Sequence, residues 1–153
     1  MAARPARRIA LLDVNVLVAL FDPSHIHHDL AHDWFAEHGA GAWATCPITE
    51  AGFVRVVSNP AYGPDPLRPA AALDRLRRFC QSGGHHFWGD TVSFRDAALF
   101  TIEPARGHRQ LTDVYLLGLA RTMGGTLTTF DRTIPIAAVK GAGRAHLSVI
   151  EPL

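Results

Sequence analysis

The sequence predicts an α/β fold with a mainly parallel central sheet covered by helices on both faces. Three observations lead there. Short apolar runs of strand length recur along the chain, and segments with helical spacing separate them. The first run, Ile9-Ala10-Leu11-Leu12, carries no polar residue on either side. Strands joined through helices form βαβ units and pair in parallel. A strand apolar on both sides belongs at the centre of such a sheet.

The elements follow in order. A first strand is expected over residues 9–12. Leu30, Trp34 and Phe35 mark a helix that begins after Pro23-Ser24. A strand over 42–46 leads into a helix marked by Ile48, Phe53, Val54 and Val57, which Asn59-Pro60 ends. Leu73, Leu76, Phe79 and Cys80 mark a third helix, followed by a strand over 86–88. The most regular helix runs from Thr112, a natural N-cap, to Met123 and stops at Gly124-Gly125. Strands over 126–128 and 147–150 complete the set. No repeat, low-complexity tract or linker divides the chain, so residues 1–153 read as one domain.

Composition narrows the class. With 48% hydrophobic residues in 153, a core can form without disulfides, and Cys46 and Cys80, far apart in sequence, read as buried free thiols. The longest apolar runs, 9–12 and 16–21, fall short of the roughly 20 residues that span a bilayer. The basic N-terminal segment is followed by Asp13 and Asn15 rather than by an uninterrupted apolar region, so a secretory leader is not expected. A soluble, cytoplasmic protein with no membrane partner is the expectation. The net charge of +1 does not itself indicate nucleic acid. Lys140 is the only lysine among 15 basic residues. Arginine suits bidentate phosphate recognition, although GC-rich codon usage explains the bias equally well.

Four acids fall at one rim of the inferred sheet. Asp13 follows the first strand, and Glu50 lies in the first turn of the helix after the second. Asp113 starts the regular helix, and Asp131 follows the strand that ends Thr128-Thr129-Phe130. Singly, each has an ordinary role as a turn residue or as a complement to a helix dipole. Together they repel, which raises their pKa values or demands a cation. Mg²⁺ or Mn²⁺ is the natural counter-charge for an all-oxygen cluster, and phosphodiester hydrolysis is chemistry such ions support.

The string Leu11-Leu12-Asp13-Val14-Asn15-Val16-Leu17 resembles the opening signature of PIN-domain nucleases. Within that group it is similar to the VapC toxins of bacterial toxin–antitoxin pairs. Further landmarks are Thr49-Glu50, Gln110-Leu111-Thr112-Asp113 and Thr128-Thr129-Phe130-Asp131-Arg132. The resemblance covers nearly the whole chain and implies a three-layer α/β/α domain that cleaves RNA with Mg²⁺ or Mn²⁺. It makes Asp13, Glu50, Asp113 and Asp131 the catalytic acids and metal ligands, with Glu50 either completing the ligand set or orienting water. Asn15 and Thr129 match the polar positions that orient those carboxylates. Arg132 is a candidate phosphate contact, with Arg55, His108 and Arg109 as weaker ones. The resemblance also implies a bacterial cytoplasmic toxin that inhibits translation, forms a homodimer and is neutralised by a VapB-like antitoxin. The helices flanking 60–69 are candidates for the dimer interface, and Tyr62 in the loop 59–69 for stacking on RNA.

Competing readings remain at this level. His25, His27, His28 and His32 cluster, and His28 and His32 have the i, i+4 spacing of a helical metal site. The segment lacks the HExxH pattern, so a structural or solvent-facing set is expected. A haloacid-dehalogenase-like phosphatase also opens on a strand and an aspartate, but Asn15 stands where its second acid would be. A catalytically idle PIN-like module that binds RNA or a partner is the other alternative.

Overall fold

A computed structural model of the chain describes residues 8–152. The basic N-terminal segment considered as a leader lies, apart from Arg8, outside them. The described residues form a five-stranded sheet in the order β3-β2-β1-β4-β5, with every pair parallel. The strands are β1 (Ala10–Leu12), β2 (Trp43–Thr45), β3 (His85–Phe87), β4 (Thr126–Thr129) and β5 (Leu147–Val149). The helices are α1 (Val14–Phe21), α2 (His28–Trp34), α3 (Pro47–Ser58), α4 (Pro69–Cys80) and α5 (Leu111–Thr122). A π-helical turn, Phe35–Gly39, extends α2.

The β1 strand is central, as its apolar composition requires. Alternation along it feeds two cores. Leu11 joins Ala44 and Leu127 in packing on α5, whereas Ala10, Leu12 and Trp43 pack against the α1–α4 side. The result is the expected three layers. Gly124 (φ 68°) lets α5 end in a Schellman turn. Its N–H donates to the Arg121 carbonyl and the Gly125 N–H to that of Ala120, at 3.2 and 2.8 Å.

Two expectations need correction. Helix α1 is missing from the sequence-based set, because its sequence, Val-Asn-Val-Leu-Val-Ala-Leu-Phe, is apolar nearly all round and has no helical period to detect. The regular helix begins at Leu111 rather than at a Thr112 cap. A 3₁₀ turn, His108–Gln110, feeds directly into it, so Gln110 is the N-cap residue and Thr112 is exposed in the first turn. Both cysteines are free thiols; Cys46 is buried and Cys80 half-buried. Among the described residues, no helix is long and apolar enough to cross a membrane.

Candidate active site

Strand order reverses at β1, with β2 and β3 on one side and β4 and β5 on the other. Such a switch point leaves a crevice beyond the strands' carboxyl ends. Asp13 stands there, as the residue after β1 and the N-cap of α1. Its Oδ1 accepts from the Val14 N–H at 2.7 Å, and its Oδ2 accepts from the Thr129 hydroxyl at 2.8 Å. The Thr129 oxygen in turn accepts from Asn15 Nδ2 at 3.2 Å and from the Asp131 N–H at 3.0 Å. Asn15 Oδ1 accepts from the Phe130 N–H at 3.4 Å. One buried hydroxyl therefore ties the end of β1 to the end of β4.

Asp131 and Asp113 are positioned by a second set of bonds. Asp131 Oδ1 accepts from the Thr133 N–H and hydroxyl, both at 2.7 Å. Gln110, at the start of α5, donates to the Thr133 carbonyl at 2.9 Å and accepts from the Arg106 N–H at 2.7 Å. The first turn of α5, which carries Asp113, is thus fastened to the turn that carries Asp131.

The three carboxyls lie near enough for their charges to act on one another. Asp113 is pushed up to about 7, first by burial, then by the charges of Asp13 and Asp131 and by a hydrogen bond with Asp131. Asp13, 6% exposed, is also raised by burial, against the opposing bonds from Thr129 and Val14. Carboxyls confined in this way hold a proton near neutrality or take a cation. Their all-oxygen donor set fits a hard divalent ion.

Glu50 is held differently. It lies in the first turn of α3, where the Cys46 N–H donates to Thr49 Oγ1 at 2.9 Å and the hydroxyl returns to the Cys46 carbonyl at 3.1 Å. A Cβ on Gly52 would come within 2.6 Å of Val14 Cγ2, so α3 lies hard against the start of α1. The Glu50 carboxylate accepts from the Thr45 hydroxyl at 2.7 Å, and His85 Nε2–H donates to the same Thr45 oxygen at 2.8 Å. Its charge acts on His85 and on Cys80, whose thiol is pushed up to about 11, mainly by burial. Asp113 instead feels Asp13 and Asp131. Three of the four expected acids converge, while Glu50 points to Thr45.

The remaining candidates are peripheral. Arg132 Nε lies 3.4 Å from Glu151 Oε1, and both side chains are exposed. Arg55, on α3, and His108 and Arg109, just before α5, are exposed as well. Tyr62 packs against the core and donates its hydroxyl to Asp22, so it is not a free stacking surface in its loop. Of the histidine cluster, His28 Nδ1–H and His32 Nε2–H donate to the Ala19 and Leu20 carbonyls, each at 2.7 Å. They satisfy carbonyls that the end of α1 leaves unpaired, which is a structural task. His27 stacks on Phe130 with ring centres 4.7 Å apart. Sequence reasoning misses Thr45, which carries no signal beyond being a strand residue. Gln110 stands in the motif beside Asp113, but nothing local gives it a role.

Comparison with known proteins agrees with this geometry. Residues 10–140 match the PIN domain family. The chain is 43% identical over 141 residues to a protein named Ribonuclease VapC44 from Mycobacterium tuberculosis, covering 92% of this chain and 99% of that one. Ribonuclease VapC39 of the same species is 42% identical over 132 residues (86% and 95% of the two chains). Ribonuclease VapC38 is 49% identical over 123 residues (80% and 85%). The match runs from β1 past Asp131 and so spans the aspartate cluster and the strand order that creates its crevice: the chain belongs to the PIN-domain family.

Proposed function

We propose that the chain is a Mg²⁺- or Mn²⁺-dependent endoribonuclease, the VapC-type toxin of a type II toxin–antitoxin pair, acting in the bacterial cytoplasm to inhibit translation. The observation that carries this reading is the convergence of Asp13, Asp113 and Asp131 at the switch point, with Asp113 raised to about 7. A hard divalent ion bound there would supply Lewis acidity and a water of lowered pKa.

In this reading the three aspartates hold the ion, and Glu50 contributes from the edge of the site by orienting water. Thr129 and Asn15 act through Asp13: the hydroxyl fixes Oδ2, and the amide fixes the hydroxyl. Gln110 and Thr133 keep Asp113 and Asp131 in register. A cleft of about 460 Å³ beside α5, lined by Ile48, Asp90, Phe94, Leu111, Thr112 and Tyr115, offers an apolar surface to an unstacked base. Arg132, Arg55 and Arg109, all exposed, are the candidate phosphate contacts. The relatives' name, ribonuclease, supports RNA as substrate, and the VapC-type reading implies a VapB-like antitoxin as partner. A homodimer fits the partly exposed Leu73 on α4 and Phe87 at the sheet edge.

The test is RNA cleavage with Mg²⁺ or Mn²⁺, with and without chelator, comparing the native chain with Asp13→Asn and Asp113→Asn. Cleavage that depends on the ion and is lost in both variants supports the reading. Chelator-insensitive cleavage that persists in both would overturn it, and metal-dependent RNA binding without turnover would favour an idle binding module.

A further inference from the structure

We propose that Asp90 reads an unpaired guanine beside the cleaved phosphodiester, gripping its N1–H and N2–H groups while the ring lies in the cleft next to α5. The inference rests on the ribonuclease reading above. Ile48, Phe94, Leu111 and Tyr115 give the cleft of about 460 Å³ its apolar walls, and Asp90 is the one carboxyl that lines it. Thr112, at its edge, immediately precedes Asp113 in the first turn of α5. Ile48 stands in the first turn of α3, and Asp90 comes soon after the end of β3. The cleft therefore opens at the strands' carboxyl ends, on the rim that carries the aspartates.

The aromatic wall is held in place. The Tyr115 hydroxyl donates to the Val92 carbonyl at 3.1 Å, tying the segment after β3 to α5. Phe94, 40% exposed, rests edge-on against Tyr115 and Phe100, with ring centres 5.6 and 5.0 Å away. Phe100 is itself pressed onto α5, where a Cβ on Gly118 would come within 2.3 Å of its Cζ. An exposed ring fixed in this way is a platform for an unstacked base. Asp90 supplies the contact to the base edge. Among the described residues the Cys46 thiol is its one hydrogen-bonding neighbour, so the carboxylate has acceptor capacity to spare. A carboxylate accepts without donating, and its two oxygens match two parallel N–H groups. Guanine alone presents two adjacent donors on its Watson–Crick edge. Adenine and cytosine set a ring-nitrogen acceptor beside the amino group, and uracil flanks its single N–H with carbonyls. Those bases would turn acceptors towards a negative group, and that repulsion makes the contact selective.

The test is fluorescence anisotropy of the chelated full chain with short uridine-tract RNAs that hold one guanine, inosine or adenine. Inosine keeps N1–H and lacks the N2 amino group. The guanine probe should bind about tenfold or more tightly than the adenine probe, with inosine between them. The amide of Asp90→Asn offers one donor beside one acceptor, so the guanine-to-adenine ratio should fall by about tenfold. That ratio does not depend on the fraction of folded chain, so a partly misfolded variant still gives a reading. Phe94→Ala should weaken all three probes alike, by about fivefold or more. No guanine preference in the native chain, or a preference that survives Asp90→Asn, would overturn the proposal. Sequencing the ends cut in Mg²⁺ separates this site from the ribonuclease reading. Cleavage with no guanine enriched beside the cut strikes the guanine site alone. Guanine-selective binding that Asp90→Asn removes, without any cleavage, supports the site and strikes the ribonuclease reading.

Discussion

Asp13, Asp113 and Asp131 meet beyond β1 and β4, whereas Glu50, Cys80 and His85 meet over β2 and β3 beneath the end of α4. The first group is three like charges steadied by hydroxyls and backbone N–H groups. The second mixes a carboxylate, a thiol and an imidazole around one threonine hydroxyl. The first group gathers beyond the carboxyl ends of β1 and β4, whereas His85 is the first residue of β3 and Cys80 the last of α4, and the face of the sheet separates the two groups as well. Leu11 packs towards α5, and Asp13, two residues on, continues that face to meet Asp113. Thr45 shares the face of Trp43, and the carboxylate bonded to Thr45 is drawn under α3 and α4. A residue's distance along a strand selects the rim, and its parity selects the neighbours.

The largest effect expected from breaking the first cluster is on RNA cleavage. Asp13→Asn or Asp113→Asn should lower the single-turnover rate by about 10³-fold or more, about 4 kcal/mol of transition-state stabilisation. Glu50→Gln is the sharpest probe of the difference between the regions. If Glu50 serves the reaction from the edge, the loss in the same assay should be about 10–100-fold. A loss equal to that of Asp13→Asn would join it to the aspartates after all.

Thr129→Val should cost about 10–100-fold in metal affinity or rate, because Asp13 Oδ2 and the Asp131 N–H both lose their partner. Thr129→Ser, which keeps the hydroxyl, should restore most of it. A purely structural role would instead show as equal loss in both variants.

Stability effects come next. Asp113, unfolded near 3.8 and folded near 7, binds its proton more tightly in the native state. Its stabilising contribution in chelated protein is therefore full below about pH 4 and is lost as pH rises through about 7. Asp13 is shifted in the same direction. Thermal melts in chelator should fall over that window, and Asp113→Asn should flatten the fall. Above pH 7 that variant should gain on the order of 1–2 kcal/mol, allowing for solvent screening. The smallest effect is expected one residue from Thr129. Among the described residues, the buried Thr128 hydroxyl has no hydrogen-bonding partner. Thr128→Val should leave stability unchanged or raise it by about 0.5–1 kcal/mol in a urea melt.

Much of the fold is legible in the order of the amino acids. All five strands can be read within a residue or so of their bounds, four of them because they are short apolar or β-branched runs between turn signals, whereas β3, His85-His86-Phe87, is a largely exposed edge strand. The stop of α5 can be read from Gly124-Gly125, since only glycine takes a positive φ without cost. The four acids can be placed at strand and helix ends, and the motif pattern anticipates the Asp13–Asn15–Thr129 link. Helix α1 cannot be read, for want of a period. The partners of Tyr62 cannot either, because a loop residue's contacts depend on what folds beside it.

The sequence by itself determined which elements exist and which acids stand at their ends, because periodicity, turn chemistry and strand-end position are local properties. Only the tertiary structure decided which acids share a field. Asp13, Asp113 and Asp131 come together through a strand-order reversal, and Glu50 is drawn to Thr45, His85 and Cys80 by a helix pair folded over β2. Charge repulsion and hydrogen bonding act over a few ångströms in space, and residues distant in the chain supply both.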